Sequence, residues 1–181
     1  MEDVFQKLIL MIRAYYPVLY LHSYEYYRTK QKIKGIVELL RREGKKVNYY
    51  QWDCVYGLVQ ILPDKTEKRI ERMQNPLEVL AYILNSKKSG EKNIFVLDDI
   101  NNHIDRDEVK LMFRKIAEAT NNNTHAIILS SIYRLPAELE KYITVLQIPL
   151  PKRNELGEVL DIVAKQSKVE LKTNLRNRLI D

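Results

Sequence analysis

Three uninterrupted apolar runs, Val18-Leu19-Tyr20-Leu21, Ile94-Phe95-Val96-Leu97 and Ala126-Ile127-Ile128-Leu129, constrain this chain more than any other feature. Four consecutive apolar side chains between polar neighbours suit a strand covered on both faces, as in a parallel sheet. Val47 to Trp52, rich in β-branched and aromatic residues, and Ile143 to Ile148 read as two more strands. Between these runs apolar residues recur at helical spacing. Asp3 to Tyr16 reads as a helix stopped by Pro17, and Glu25 to Glu43 as a helix ended by Gly44. Asn75 caps a third helix, over Pro76 to Ser86, and Asp105 with Glu108 caps a fourth, which fades at Asn121-Asn122-Asn123. A short helix starts at Pro136 and a last one covers Asn154 to Gln166. Strands alternating with helices predict a five-stranded parallel α/β sheet with helices on both faces, because each right-handed crossover needs a helix to return the chain. Tyr56 to Leu62 leaves room for a short hairpin, Pro63-Asp64 reads as a turn and Lys87 to Asn93 as a polar loop.

At 181 residues the chain suits one core, and 45% hydrophobic with 30% charged residues excludes a disordered class. No apolar run approaches the roughly 18 residues that a spanning helix needs, and the first residues lack the form of a signal peptide. With Cys54 as the single cysteine, no internal disulfide can form, so the expected location is the cytoplasm or an organelle stroma, and Cys54 reads as a small buried residue. The formal net charge of +6 is clustered between Arg28 and Lys46, a stretch that carries all of it. Clustering of this kind suits an anionic partner at the helix of residues 28–46, whereas a solvated helix face is the plainer reading.

In an open parallel sheet ligands bind at the carboxyl ends of the strands. There Asp98-Asp99 follows Ile94 to Leu97, which matches a Walker B-like pair: the first acid holds Mg²⁺ and the second orients an attacking water. The alternative is a pair of acids that solvates a loop. A Walker A loop needs glycine for close backbone approach and Lys-Ser/Thr for phosphate and metal. The corresponding stretch, His22-Ser23-Tyr24-Glu25-Tyr26-Tyr27-Arg28-Thr29-Lys30, has no glycine. Its three tyrosines obstruct a polyphosphate, and Glu25 sets a negative charge where phosphate would sit. Arg28 and Lys30 are the cations left to bind nucleotide. Ser130-Ser131, after the fourth strand, suits a sensor of the terminal phosphate or ordinary loop serines. Arg134 and Lys141 lie where a cation could be offered to a neighbouring subunit, or are surface residues. His22, His103 and His125 show no metal-ligand spacing. The tyrosine pairs 15–16, 26–27 and 49–50 and Trp52 read as core and contact residues.

In order, Leu19-Tyr20-Leu21, Gln51-Trp52-Asp53, Ile94 to Asp99, Ile127-Ile128-Leu129-Ser130-Ser131, Leu135-Pro136-Ala137-Glu138-Leu139 and Pro149-Leu150-Pro151 carry a resemblance. From about Phe5 to Gln166 the chain resembles the N-terminal half of the conserved AAA-family ATPases encoded as open reading frames in plastid, cyanobacterial and other bacterial genomes. The resemblance implies a P-loop NTPase-like (AAA+) fold, a degenerate module over residues 1–151, and the start of a helical lid over 152–181. The pattern from Leu171 to Ile180, which begins and stops, fits a fragment of a longer protein. The resemblance also implies a second AAA module, carrying the intact phosphate loop, and neighbouring subunits as partners.

Three readings follow. The first is a regulatory or assembly module of a larger ATPase, without hydrolysis of its own. The second is an ATP-hydrolysing domain that uses Asp98, Asp99, Ser130 and Lys30, with ATP and Mg as cofactors. The third is nucleic-acid binding through the basic helix.

Overall fold

The computed structural model describes residues 4–70, 73–86, 91–119 and 123–167. The helical pattern expected over Leu171 to Ile180 lies outside the described residues, as do most of the polar loop 87–93 and the first two asparagines of 121–123. Helix α1 spans Val4–Arg13, strand β1 Val18–His22, α2 Tyr26–Arg42, β2 Val47–Asp53, β3 Gly57–Ile61, β4 Glu67–Ile70 and α3 Pro76–Ser86. Then come β5 over Lys92–Asp98, α4 over Asp107–Glu118, β6 over Thr124–Ser130, β7 over Thr144–Gln147 and α5 over Arg153–Gln166. Short 3₁₀ turns cover Ile100–His103 and Ala137–Leu139, the second in place of the short helix expected at Pro136.

One seven-stranded sheet runs in the order β4-β3-β2-β5-β6-β1-β7. β2, β5, β6, β1 and β7 pair in parallel, as the apolar runs predict, while β2–β3 and β3–β4 are antiparallel. The sheet is therefore mixed and not a purely parallel five-stranded one. The reason is local. Asp53 Oδ1 accepts the amides of Val55 and Tyr56 at 2.8 and 2.7 Å, and Gly57 follows at φ +76°, so the chain reverses directly after β2 and extends the edge by a hairpin. Cys54 lies in this turn and is exposed, contrary to the burial expected of it.

Successive residues of each central strand point to opposite faces. Leu19, Leu21, Tyr49, Ile94, Val96, Ile127 and Leu129 pack with Leu8 and Ile12 of α1 and Ile33, Val37 and Leu40 of α2. Tyr20, Tyr50, Trp52, Phe95, Leu97 and Ile128 pack with Val79, Leu80 and Ile83 of α3 and Val109, Phe113 and Ile116 of α4. Each such aliphatic side chain, once buried, contributes about 1.5–3 kcal/mol. Asn75 Oδ1 accepts the Leu77 amide at 2.9 Å, which starts α3 as read from the sequence. α4 starts later than its expected cap, at Asp107 after Arg106, because Ile100–His103 form the 3₁₀ turn and Ile104 and Asp105 a further turn first.

Compact packing divides the chain at residue 148: residues 1–148 form one unit and Pro149–Asp181 a second, which contains α5. Within that second unit Glu155 accepts the Lys152 amide at 2.9 Å, closing the first turn of α5.

Candidate functional site

Strands β1, β5 and β6 end together, and their last residues and following loops assemble the acidic site. Asp98 continues the face of Ile94 and Val96, the face that α2 covers, so Lys30 in the first turns of α2 meets it. The Lys30 ammonium donates to Asp98 Oδ2 in a direct ion pair, and both side chains are mostly buried. Asp98 Oδ1 is buried without a hydrogen-bond partner. Burial raises the Asp98 carboxyl above the ordinary aspartate value, the nearby Asp53 and Asp99 charges push the same way, and Lys30 opposes both.

Asp99 turns away at φ +51°, a left-handed conformation that a short polar side chain tolerates. Its amide donates to Leu129 O at 3.0 Å, tying the end of β5 to β6. Two hydroxyls converge on Asp99 Oδ1: Tyr26 Oη donates at 2.5 Å and Ser130 Oγ at 2.7 Å. Each hydroxyl also accepts an amide of the loop after β6, Tyr26 from Ser131 at 2.9 Å and Ser130 from Ile132 at 3.2 Å. The Tyr26 phenol is consequently hard to ionise, raised first by burial and then by its bond to Asp99.

The loop from β1 to α2 is only Ser23-Tyr24-Glu25. The Ser23 amide donates to Ser130 O at 2.9 Å and the Glu25 amide to Ser23 Oγ at 3.1 Å, so two of its three N–H groups are engaged within the protein. Ser23 Oγ and Thr29 Oγ1, both buried, share a hydrogen bond of 2.8 Å. Glu25 pairs with Arg28 at 2.8 Å, one turn away. Of the three tyrosines read as obstructing the loop, only Tyr26 turns inward; Tyr24 and Tyr27 are 63% and 78% exposed.

The structure thus gathers Asp98, Asp99, Lys30 and Ser130 in one cluster with the Ser131 amide, while Arg28 faces Glu25. Arg134 lies 3.9 Å from Asp105, and Lys141 covers the Tyr142 ring at 4.7 Å; neither reaches the acids. His22 Nδ1 meets Gln147 Oε1 at 2.6 Å and its Nε2 meets Ser131 O at 3.0 Å. Among the described residues no three His, Cys, Asp or Glu side chains are grouped to hold a metal. Two contributors carry no sequence signal: Tyr20, whose hydroxyl donates to Ile132 O at 2.6 Å, and the buried Asn101, whose amide donates to the same oxygen at 2.9 Å. Together they hold the loop after β6 over the site.

A family model described as the N-terminal domain of SpoVK-like AAA ATPases matches residues 4–148. The chain is similar to uncharacterized AAA domain-containing proteins named ycf46. The one from Guillardia theta is 28% identical over 153 residues, 83% of this chain and 28% of that protein. The one from Pyropia yezoensis is 25% identical over 175 residues, 96% of this chain and 34% of that protein. This chain spans about a third of the length of the curated relatives it matches. Among solved structures, a chain of the E. coli MS115-1 HORMA:CdnC:Trip13 complex aligns with a TM-score of 0.60 at 12% identity, over 91% of this chain and 55% of that one. AMPPCP-bound DnaA from Aquifex aeolicus aligns with a TM-score of 0.54 at 12% identity, over 96% and 54%. Both likenesses are of fold.

Proposed function

Because the chain belongs to the N-terminal domain family of SpoVK-like AAA ATPases, we propose that it is a degenerate AAA+ module whose nucleotide position is filled from within and which assembles or regulates a larger ATPase. One observation carries this reading: both acids of the Walker B-like pair are held by side chains of α2, Asp98 by Lys30 and Asp99 by Tyr26. In a working site the first acid faces a metal and the second a water. Here an ammonium takes the place of the metal charge, and a phenol takes the place of the water. The residues do not fit Mg²⁺ and ATP as they stand. A three-residue connection without glycine offers too few free amides to cradle a polyphosphate. No step of hydrolysis is therefore assigned to this module. The larger protein's activity would reside in a second AAA module, with neighbouring subunits as the other partners.

The surface above the filled site supports an assembly role. Tyr24, Tyr27, Ile132 and Tyr133 are exposed there, and large apolar side chains grouped on a surface mark contact sites. Tyr24 and Tyr133 both lean on the His22 ring, with centroids 5.3 and 6.3 Å away. Residues 152–181 are read as the start of a helical lid with α5 as its first helix. Among the described residues no helix is long and apolar enough to cross a membrane, and the location proposed is the cytoplasm or an organelle stroma.

Nucleic-acid binding through residues 28–46 draws less support, since Arg28, Lys30 and Arg41 each face an acid of the chain itself. Steady-state ATP turnover by the purified chain and by Asp99→Asn separates the module from an active ATPase. Rates equal to the protein-free blank in both are expected; turnover that Asp99→Asn abolishes would establish the active ATPase instead.

A further inference from the structure

The opposite ends of the same strands hold a second polar cluster. Lys92 begins β5 and His125 lies at the start of β6, both buried. His125 Nδ1 sits 2.7 Å from the Tyr16 carbonyl oxygen, which can only accept, so Nδ1 donates to it and Nε2 is left to meet Lys92. Lys92 Nζ donates to that Nε2 at 3.0 Å and to Ile12 O, in the last turn of α1, at 3.3 Å. The Tyr15 ring covers the ammonium at 4.8 Å and is held there by a left-handed backbone at φ +63°. Three independent contacts fix the ammonium in place, yet among the described residues no carboxylate pairs with it. A buried cation without a counter-ion is unfavourable, and either loss of its proton or a bound anion relieves it.

Beside it opens a cavity of about 340 Å³ lined by Tyr15, Lys45, Lys46, Glu91, Lys92 and Asn123. That volume is at the lower end of the range of about 300–1,000 Å³ typical of small-molecule sites. Among the described residues that line it, three are lysines and one is an acid, Glu91, which Asn48 Nδ2 engages at 2.9 Å. Among the described residues Lys45 has a distant partner, Glu43 at 3.9 Å.

We propose that this cavity at the amino-terminal ends of β5 and β6 is a binding site for a compact oxyanion, of the phosphate or phosphate-monoester class, with Lys92 as its fixed cation and Lys45 and Lys46 as flexible ones. The ligand is small because the cavity is small, and anionic because lysines outnumber acids among the described residues that line it. The site is separate from the acidic cluster, and the assignment does not depend on how that cluster is read. Burial and the Lys45 charge already lower the Lys92 ammonium to about 8, so it is charged at neutral pH and is neutralised as the pH rises past that value. Lys45, Lys46, Glu91, His125 and the Tyr15 hydroxyl are the other titratable groups facing it.

Calorimetric titration of the purified chain with inorganic phosphate, and with sulfate as a probe of constant charge, tests this at fixed ionic strength. One saturable equivalent is expected. Affinity should fall about tenfold in Lys46→Ala, an exposed change that spares the fold, and at least as much in Lys92→Met, as expected when a charge-assisted contact to an anion is lost. Arg106→Ala, an exposed cation just before α4 and outside the cavity, should leave it unchanged. Sulfate affinity should weaken as the pH is raised past about 8. Non-saturable binding, equal affinity in Lys46→Ala, or loss in Arg106→Ala would overturn the proposal. So would binding of a polynucleotide without binding of phosphate, which would return these lysines to the general basic surface.

Discussion

Tyr26 and Asp99, 73 residues apart in sequence, meet through a hydrogen bond of 2.5 Å from the phenol to Oδ1. The bond joins the first residue of α2 to the end of β5, and the same phenol accepts the Ser131 amide, so one side chain pins three segments. Tyr26→Phe removes a donor to a carboxylate and an acceptor for a part-buried amide while keeping the ring. Bonds to charged groups contribute about 1.5–3 kcal/mol, and a loss of that order is expected. Urea denaturation measures it; an unchanged midpoint would mean that water replaces the phenol without loss.

Asp98 and Lys30 respond unequally to substitution. Asp98→Ala strands a mostly buried ammonium and should destabilise by about 1–3 kcal/mol, less than a fully buried pair because both side chains keep some exposure. Asp98→Asn keeps an acceptor for Lys30 and removes a carboxylate that burial disfavours, so its effect should stay within about 1 kcal/mol. Thermal melting of the two variants ranks them, and the reverse order would contradict the pairing described.

The raised Asp98 carboxyl also gives a signed pH dependence. The folded state holds this proton at pH values where the unfolded chain, with an ordinary aspartate near 3.8, has released it. Stability from this group is therefore fully present below 3.8 and is lost as the pH rises through the folded value. Subtracting the denaturation profile of Asp98→Asn from that of the parent should leave a component that falls with rising pH in this window. A component that rises instead would mean that Lys30 outweighs burial.

Two glycines should respond with opposite signs. At Gly57, with φ +76°, an added Cβ would lie 3.2 Å from the Met73 carbonyl carbon and 3.3 Å from its oxygen, the same oxygen that accepts the Trp52 indole N–H. Gly57→Ala combines backbone strain with this clash and should destabilise by about 1–3 kcal/mol. Gly35 lies on the exposed side of α2 with nothing within 4 Å of the added carbon. Gly35→Ala should stabilise by about 0.5–1 kcal/mol, through helix propensity and a less flexible unfolded chain. Chemical denaturation of both variants checks the signs.

What the sequence discloses is local, and what it hides is tertiary. The buried strands were legible because Ile94 to Leu97 and Ala126 to Leu129 leave no polar face, and Asn75-Pro76 announces α3 through its own cap. β4 was not, because Glu67-Lys68-Arg69-Ile70 is an exposed edge with no apolar alternation. The Asp53 turn before Gly57 was the available signal for the hairpin. Asp98, Asp99 and Ser130 stood out by their position after strands, whereas no spacing relates Tyr26 to Asp99 or Lys92 to His125. Those partners are set by which strands become neighbours, and β1 adjoins β6 although four strands intervene in sequence.

The claim that the nucleotide position is filled from within is tested most directly by calorimetric titration of the purified chain with MgATP, alongside Asp98→Asn. With Lys30 on Asp98 and Tyr26 on Asp99, the account predicts no saturable heat at the acidic cluster in either protein. Micromolar binding by the parent chain that Asp98→Asn abolishes without changing its melting temperature would contradict it.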